Sequence, residues 1–361
     1  MSAKAHVACA QSAGAAREQR RQEERTDALR RQQERAADVR RPALPAADAM
    51  HLPADEAPCF VIRRVEIAGD DRNEFPWLAA AAAGPEGKDS PVDRCLGTQG
   101  INLVLKRLQN ALIARGYITS RVAAAAQDLK TGVFVVSLTP GRIRSIAYAA
   151  ETAAGSVLPA SVPARPGDLL NLRDVEQGLE NYKRVPTADT DIKILPGDEP
   201  GQSDVVIVRR QAFPLRATLT ADDAGTKATG KYQGSVAVAW DNPARLNDLL
   251  YAYYSHDLGG RGGGRGTQGG GVHYSAPVGY WLVSAGYDRS RHYQSIAGAY
   301  QDYVYRGSRS SAEIRLQRTI QRNGNSKTSV SLAAFRRRSN NFINDTEVEV
   351  QRRRTGGWQA A

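Results

Sequence analysis

Beyond residue 213 the sequence loses helical spacing and repeats with a period of two. Val236, Val238 and Trp240 alternate with small residues, as do Leu249, Tyr251 and Tyr253. The same pattern returns in Trp281, Val283, Ala285 and Tyr287, in Ala312, Ile314 and Leu316, and in Val330, Leu332 and Ala334. The positions between them carry Ser, Gln, Arg, Thr and Gly. A period of two places one apolar and one polar face on each segment, which is a strand and not a helix. We expect about nine such strands: 213–223, 231–241, 247–257, 268–276, 279–289, 296–306, 309–321, 327–338 and 345–354.

The connections alternate as well. Asp241–Asp248, Ala276–Tyr280 and Tyr305–Arg309 read as tight, whereas Asp257–Gly271 and Asp288–Ala297 read as longer loops. Short turns on one rim, long loops on the other and Tyr and Trp near strand ends fit part of an antiparallel transmembrane β-barrel. A soluble β-sandwich is the alternative, but it needs a second apolar layer, and here one face of most strands is polar or small. The mean hydropathy of −0.47 excludes a helical membrane protein and leaves a barrel open.

The first 212 residues are organised differently. Residues 1–14 could be the remnant of a signal peptide, although Met1–Ala10 lacks an apolar core. Residues 15–41 are almost all Ala, Arg, Gln, Glu and Asp, which predicts a helix polar nearly all round, suited to a wet surrounding or to no fixed structure. Residues 42–58, with Pro42, Pro45, Pro53 and Pro58, read as an extended linker. Residues 59–141 form a mixed unit: a strand over Phe60–Ala68, a short helix over Phe75–Ala83, an amphipathic helix over Asn102–Arg115 capped by Gly116, and strands over Ile118–Ala126 and Val133–Leu138. Residues 142–211 repeat the order with a strand at Arg142–Ala149, a helix at Leu172–Arg184 behind the N-cap Asn171, and strands at Thr190–Leu195 and Asp204–Arg210. The expected fold class is therefore α+β, two β-α-α-β-β units followed by part of the barrel.

A net charge of +11 suggests an anionic partner. No HExxH, GxSxG or Walker loop appears, the five His are scattered, and the three Cys form no CxxC pair. We therefore assign no catalytic, cofactor-binding or metal-binding residues. Gly259–Gly271, with Arg261 and Arg265, precedes a strand and not a helix, so it reads as a surface loop and not a phosphate cradle. The triplets Arg336–Arg338 and Arg352–Arg354 belong near a rim or partly in a lumen, because an arginine facing lipid at mid-membrane costs about 2–4 kcal/mol. Nothing in these arginines resembles a nucleic-acid module, and no nucleic-acid partner is expected.

Several stretches resemble a known family. Pro58-Cys59-Phe60-Val61-Ile62-Arg63-Arg64-Val65-Glu66-Ile67, Arg94-Cys95-Leu96-Gly97 and Arg115-Gly116-Tyr117-Ile118-Thr119-Ser120-Arg121-Val122 resemble the first POTRA domain of the two-partner secretion transporters of the haemolysin activation/secretion type, the ShlB/FhaC/HecB family. Pro140-Gly141-Arg142-Ile143 resembles the junction into the second POTRA domain. Leu170-Asn171-Leu172-Arg173-Asp174-Val175 and Gly201-Gln202-Ser203-Asp204-Val205 resemble that second domain. The similarity runs from about residue 58 to the C-terminus, and its motifs are specific in combination.

The resemblance implies an N-terminal plug helix, periplasmic POTRA domains and a barrel in the outer membrane of a Gram-negative bacterium. It implies a cognate secreted exoprotein as partner, recognised through its N-terminal secretion domain, with outer-membrane lipid around the barrel. Gly116, Tyr117, Pro140, Gly141, Asn171 and Leu172 would form the POTRA structural motif, and no client-binding residue is assigned. In a periplasmic domain Cys59 and Cys95 would form a disulfide worth about 3–4 kcal/mol, the alternative being two buried thiols. About nine strands are fewer than the family's barrel uses, so the sequence reads as a fragment, with the pore loop elsewhere and Arg306-Gly307 at a tight turn. An outer-membrane assembly factor and a soluble basic nucleic-acid binder are the competing functions.

Overall fold

The computed structural model describes residues 20–34, 38–39, 51–70, 72–150, 152, 161–259, 265–297 and 300–361. The signal-remnant reading of 1–14, both ends of the polar segment 15–41 and the linker up to residue 50 fall outside them. Within the polar segment a helix, α1, covers residues 20–33. Among the described residues no helix is long and apolar enough to cross a membrane.

The first mixed unit contains β1 (Phe60–Ile62), β2 (Arg64–Ala68), a 3-10 turn (Ala79–Ala83), β3 (Arg94–Leu96), α2 (Thr98–Ala114), β4 (Arg121–Ala123) and β5 (Val133–Thr139). β2 runs parallel to β5, which pairs antiparallel with β4, while β1 pairs separately with β3. The strand expected over Phe60–Ala68 is thus two. The N–H groups of Arg63 and Arg64 both donate to the Gly132 carbonyl, at 2.7 and 3.2 Å, and this interrupts the ladder. The helix expected over Phe75–Ala83 is only the 3-10 turn, ended by Gly84 at φ 80°. The strand expected over Ile118–Ala126 shrinks to β4, and β3 is additional.

Helix α2 starts four residues before the expected Asn102. Its cap is remote: the Glu56 carboxylate accepts the N–H groups of Gly97, Gln99 and Gly100 at 2.8, 2.8 and 3.0 Å. An anion at a helix N-terminus satisfies donors that have no partner within the helix. Burial pushes the Glu56 carboxyl up, but the three backbone N–H groups outweigh it and hold it below its ordinary value. Leu52 is buried as well and its N–H donates to Asp89 at 2.8 Å, so Leu52 and Glu56 anchor the end of the expected linker on the unit. Val104, Leu108 and Leu112 of α2 meet Phe134, Val136 and Leu138 from alternate positions of β5. Each such side chain contributes about 1.5–3 kcal/mol by leaving water.

The second unit has β6 (Arg142–Tyr148), α3 (Leu172–Lys183), β7 (Ala188–Pro196) and β8 (Gln202–Gln211), in sheet order β6-β8-β7 with β6 parallel to β8. A further helix in this unit would fall within 151–160, where only residue 152 is described. Asn171 caps α3, its Oδ1 accepting the Arg173 N–H at 2.9 Å.

The rest is one antiparallel meander: β9 (Leu215–Asp222), β10 (Gln233–Asp241), β11 (Leu249–Asp257), β12 (Gly266–Val278), β13 (Trp281–Ala297), β14 (Asp302–Arg322), β15 (Lys327–Ile343), β16 (Thr346–Glu347) and β17 (Arg353–Ala360). Two expected breaks are absent and a third is shortened. Tyr305–Arg309 is no turn: residues 302–306 of the first segment and all of 309–321 lie in β14, with Arg306-Gly307 inside it, while 296–297 end β13. Gly307 serves space and not chain reversal, because a Cβ there would sit 2.1 Å from the His292 ring. Asp288–Ala297 is no loop, because its polar residues continue β13 and pair with β14. The Gly259–Gly271 loop ends at Gly266, and residues 260–264 lie outside those described. Conversely, 345–354 is not one strand but β16, a 3-10 turn at Glu349–Gln351 and the start of β17.

The register places two chemically different faces on this sheet. One row reads Trp240, Leu250, Tyr274, Ala285, Ile314, Ala334 and Trp358 across seven strands. The next reads Ala276, Val283, Leu316, Leu332 and Ala360. This outer face is solvent-exposed in the isolated chain, with Ile314 at 63% and Trp358 at 76%. An apolar belt of this extent is expected to face lipid. The opposite, inner face carries Arg216, Thr218, Gln233, Tyr253, His273, Asp288, Arg309 and Arg337.

Candidate functional site: the inner helix and the junction beneath it

Helix α1 has no apolar face of its own, so only polar partners can hold it. The inner face of the sheet supplies them. Arg216 of β9 donates to the Gln33 side chain at 3.0 Å and to its carbonyl at 3.2 Å, and Gln33 Nε2 donates to Thr218 Oγ1 at 3.4 Å. Arg25 donates to Gln233 of β10 at 3.2 Å and faces Asp222 at 3.6 Å. The Thr26 and Tyr253 hydroxyls lie 3.2 Å apart, and Glu23 pairs with Arg309 of β14. The contacts run from the first strand of the sheet to the sixth.

Small residues clear room for the large polar ones. Tyr253 donates to Asp288 at 2.8 Å, and His273 Nε2 lies 2.9 Å from the same carboxylate. A Cβ on Gly271 would come within 2.4 Å of Asp288 Oδ1, and one on Gly286 within 2.5 Å of the His273 ring. The glycine run therefore owes part of its composition to packing on the inner face.

Below the sheet, α3 touches three successive turns. Asn181 donates to the Gly279 carbonyl at 2.8 Å, and Tyr280 donates to Asp174 at 2.5 Å. Arg184 donates to Ser275 at 2.7 Å and to the Asn247 carbonyl at 3.3 Å. Arg322, on the third turn, donates to Glu180 at 2.7 Å and to Gln177 at 3.1 Å, and Lys327 pairs with Glu180. Glu176 is 1% exposed and accepts from Arg173 at 2.9 Å. Val185, Ala188 and Leu249 close a small apolar cluster across the same boundary. Burial is the main cause raising the Asp174 carboxyl; the Asp168 charge adds to it and the Tyr280 hydroxyl opposes it.

A second junction joins the two mixed units. The Leu172 N–H donates to the Gly116 carbonyl at 2.8 Å, Asn171 Nδ2 to the Arg115 carbonyl at 3.1 Å, and the Leu170 N–H to the Gly141 carbonyl at 2.8 Å. Tyr117 packs edge-on to Phe75 at 5.0 Å. Pro140 approaches the next loop closely, its carbonyl 2.9 Å from where a Gly201 Cβ would stand. The sequence motif of Gly116, Tyr117, Pro140, Gly141, Asn171 and Leu172 therefore converges on this boundary. Cys59 and Cys95 are bonded, with Cα atoms 5.3 Å apart, and tie β1 to β3.

Sequence reasoning missed the junction beneath the sheet. Glu176, Gln177, Glu180 and Asn181 form a polar stripe on α3 that reads as solvated. The available signal was excess: Arg322 offered a cation at a turn with no local carboxylate. Among the described residues no cluster of His, Cys, Asp and Glu is arranged to hold a metal ion.

Comparisons with known proteins agree on one family. Residues 201–361 match the model of the haemolysin secretion/activation protein ShlB/FhaC/HecB, residues 60–141 a ShlB-type POTRA domain, and residues 142–196 a POTRA domain. The outer membrane transporter CdiB-2 of Burkholderia pseudomallei is 36% identical over 320 residues, covering 84% of this chain and 54% of that protein. The outer membrane transporter CdiB of Dickeya dadantii is 32% identical over 300 residues, covering 82% and 52%. The solved structure of CdiB from Acinetobacter baumannii superposes with a TM-score of 0.84 at 28% identity, covering 95% of this chain and 65% of that one. CdiB from Escherichia coli superposes at 0.80 and 27%, covering 95% and 62%. The chain spans about half the length of the curated relatives it matches.

Proposed function

The chain carries ShlB-type POTRA sequence and the secretion-protein domain of the ShlB/FhaC/HecB family, and from that premise we propose that it acts in an outer-membrane translocator that secretes a cognate exoprotein by two-partner secretion. The barrel strands sit in the outer membrane and the POTRA domains in the periplasm. The work is transport and not catalysis. The partner is the N-terminal secretion domain of an exoprotein of the haemolysin, adhesin or contact-dependent toxin type, and outer-membrane lipid surrounds the apolar belt. The domains are 59–141 and 142–211 for the POTRA units and 212–361 for the barrel strands.

The observation that carries this reading is the seating of α1 on the inner face through Arg216, Arg309 and Tyr253. A helix held only by polar contacts on a polar face can be released into water at small cost, because each exposed bond lost is replaced by one to solvent. That suits a plug. Among the described residues no strand pairs with the outer edges of β2 and β7, where an extended client can add a strand. The rigid contact of α3 with three turns then relays the bound client towards the inner face.

Co-expression with a candidate exoprotein tests the proposal. The expected result is exoprotein in the culture medium only when this chain is present. Equal release from cells lacking the chain overturns it.

A further inference from the structure

Six arginines face outwards beyond the apolar rows, at the end of the sheet away from α3. One register row reads Tyr254, Gly270, Arg289, Ser310, Arg338 and Arg354 across six strands. Arg336 lies one row nearer the belt on β15, and Arg291 one row farther out on β13. Arg306 lies beyond, its guanidinium 4.4 Å over the Phe342 ring. Arg289 stands eight residues up β13 from Trp281, about 26 Å along the strand and about 20 Å along the axis of a tilted barrel. In an apolar band about 25 Å tall this puts Arg289 within one side chain's reach of the outer edge, where a long arginine can carry its charge to the headgroups.

Two features mark this row as unfinished. Arg338 and Arg354 are direct register partners, and like charges set opposite each other across strands are unfavourable. Among the described residues no carboxylate forms an ion pair with Arg289, Arg291, Arg336 or Arg338, and Arg354 feels only the Glu347 charge that Arg352 already holds. Of the acids at this end, Glu347 and Glu349 are engaged by Arg352 at 2.5 and 3.9 Å. A row of exposed guanidinium forks with too few carboxylates beside an apolar belt calls for an anion supplied by the membrane.

We propose that the row docks the headgroup of a phosphorylated glycolipid in the outer leaflet, a disaccharide carrying a phosphate at each end. This rests on the outer-membrane placement proposed above. The spacing favours that chemistry over a phospholipid. Arg338 and Arg354 form one cationic centre, and Arg289 forms a second two strands from Arg338, about 10 Å away. Ser310 lies between the centres and offers a hydroxyl to the sugar. A headgroup with one phosphate occupies one centre only.

The test uses the full chain in mixed detergent micelles, where binding does not depend on insertion or secretion. The probes are diphosphoryl lipid A, the same lipid with both phosphates removed, and phosphatidylglycerol. The expected result is saturable binding of diphosphoryl lipid A, weakened at least tenfold by removal of the phosphates. The combined variant Arg289→Gln, Arg338→Gln and Arg354→Gln weakens it at least tenfold, whereas Arg337→Gln on the inner face leaves it unchanged. Equal binding of the dephosphorylated lipid overturns the proposal and needs no variant. So does phosphatidylglycerol bound as tightly as lipid A, or a folded triple variant with undiminished affinity. Failure to find the chain in outer membranes would instead count against the translocator reading.

Discussion

Arg322, the last residue of β14, reaches Glu180 in the last turn of α3 at 2.7 Å, with a side chain only 2% exposed. The pair ties the second POTRA unit to the barrel strands, and its position decides the energetics. Removing one partner of a buried ion pair leaves an uncompensated charge, which costs about 3–5 kcal/mol, far more than the loss of an exposed pair. Arg322→Ala is expected to loosen the junction by that order. Limited proteolysis between residues 211 and 215 reads it; unchanged cleavage would count against a rigid junction.

The Arg216–Gln33 contact predicts how firmly α1 is seated. Arg216→Ala removes two hydrogen bonds to the C-terminal end of the helix. Trypsin cleavage at the arginines of α1 is expected to rise several-fold, with cleavage of α2 unchanged. Equal protection in both proteins would mean that other contacts hold α1.

The Asp204 carboxyl predicts an acid-sensitive step in the second POTRA unit. Hydrogen bonds from Arg144 and Ser145 hold it down at about 2. Its folded value lies below the ordinary ~3.9 of an unfolded aspartate, so the stabilisation is complete above the unfolded value and disappears as pH falls towards 2. Asp204→Asn is expected to flatten the melting temperature between pH 5 and 2. Asp174 has the opposite sign: burial raises it, so its contribution is present at low pH and fades as pH climbs through the folded value.

Gly116 predicts a strict requirement at the joint between the POTRA units. It adopts φ +96°, and a Cβ would stand 2.2 Å from Asn171 Oδ1. Gly116→Ala meets both penalties, backbone strain of about 1–3 kcal/mol and displacement of the Asn171 cap. Thermal melting of the full chain measures the loss, and a variant as stable as the parent would show that the joint can relax.

Reduction of Cys59–Cys95 is expected to cost about 3–4 kcal/mol in the chain-entropy account. Cys59→Ser should lower the unfolding midpoint of the first unit while leaving the second unchanged. Equal midpoints with and without reductant would mean that packing alone holds β1 to β3.

How much of this was legible in the sequence follows from the range of each interaction. Period-two alternation at Val236, Val238 and Trp240 and the spacing of Leu108 and Leu112 are local, and they mark strand and helix wherever they occur. Strand ends at Gly307 and Asp288 were misplaced for one reason: glycine and polar residues also signal turns, and only the His292 ring and the pairing with β14 show that these serve packing and pairing. The Glu56 cap was invisible because its partner lies 41 residues away.

The alternation, the repeat of mixed strand-and-helix units and the polar composition of 15–41 determine by themselves that two small α+β units precede a sheet with one lipid-compatible face. Which polar residues matter was decided only by the tertiary structure. Glu176, Glu180 and Arg322 look like ordinary surface charges until the turns of the sheet bury them, and Arg289, Arg338 and Arg354 acquire a common row only through register. The cause is physical: burial of apolar surface depends on a periodic pattern that one strand or helix already carries, whereas the value of a charge depends on which opposite charge, and how little water, the fold brings beside it.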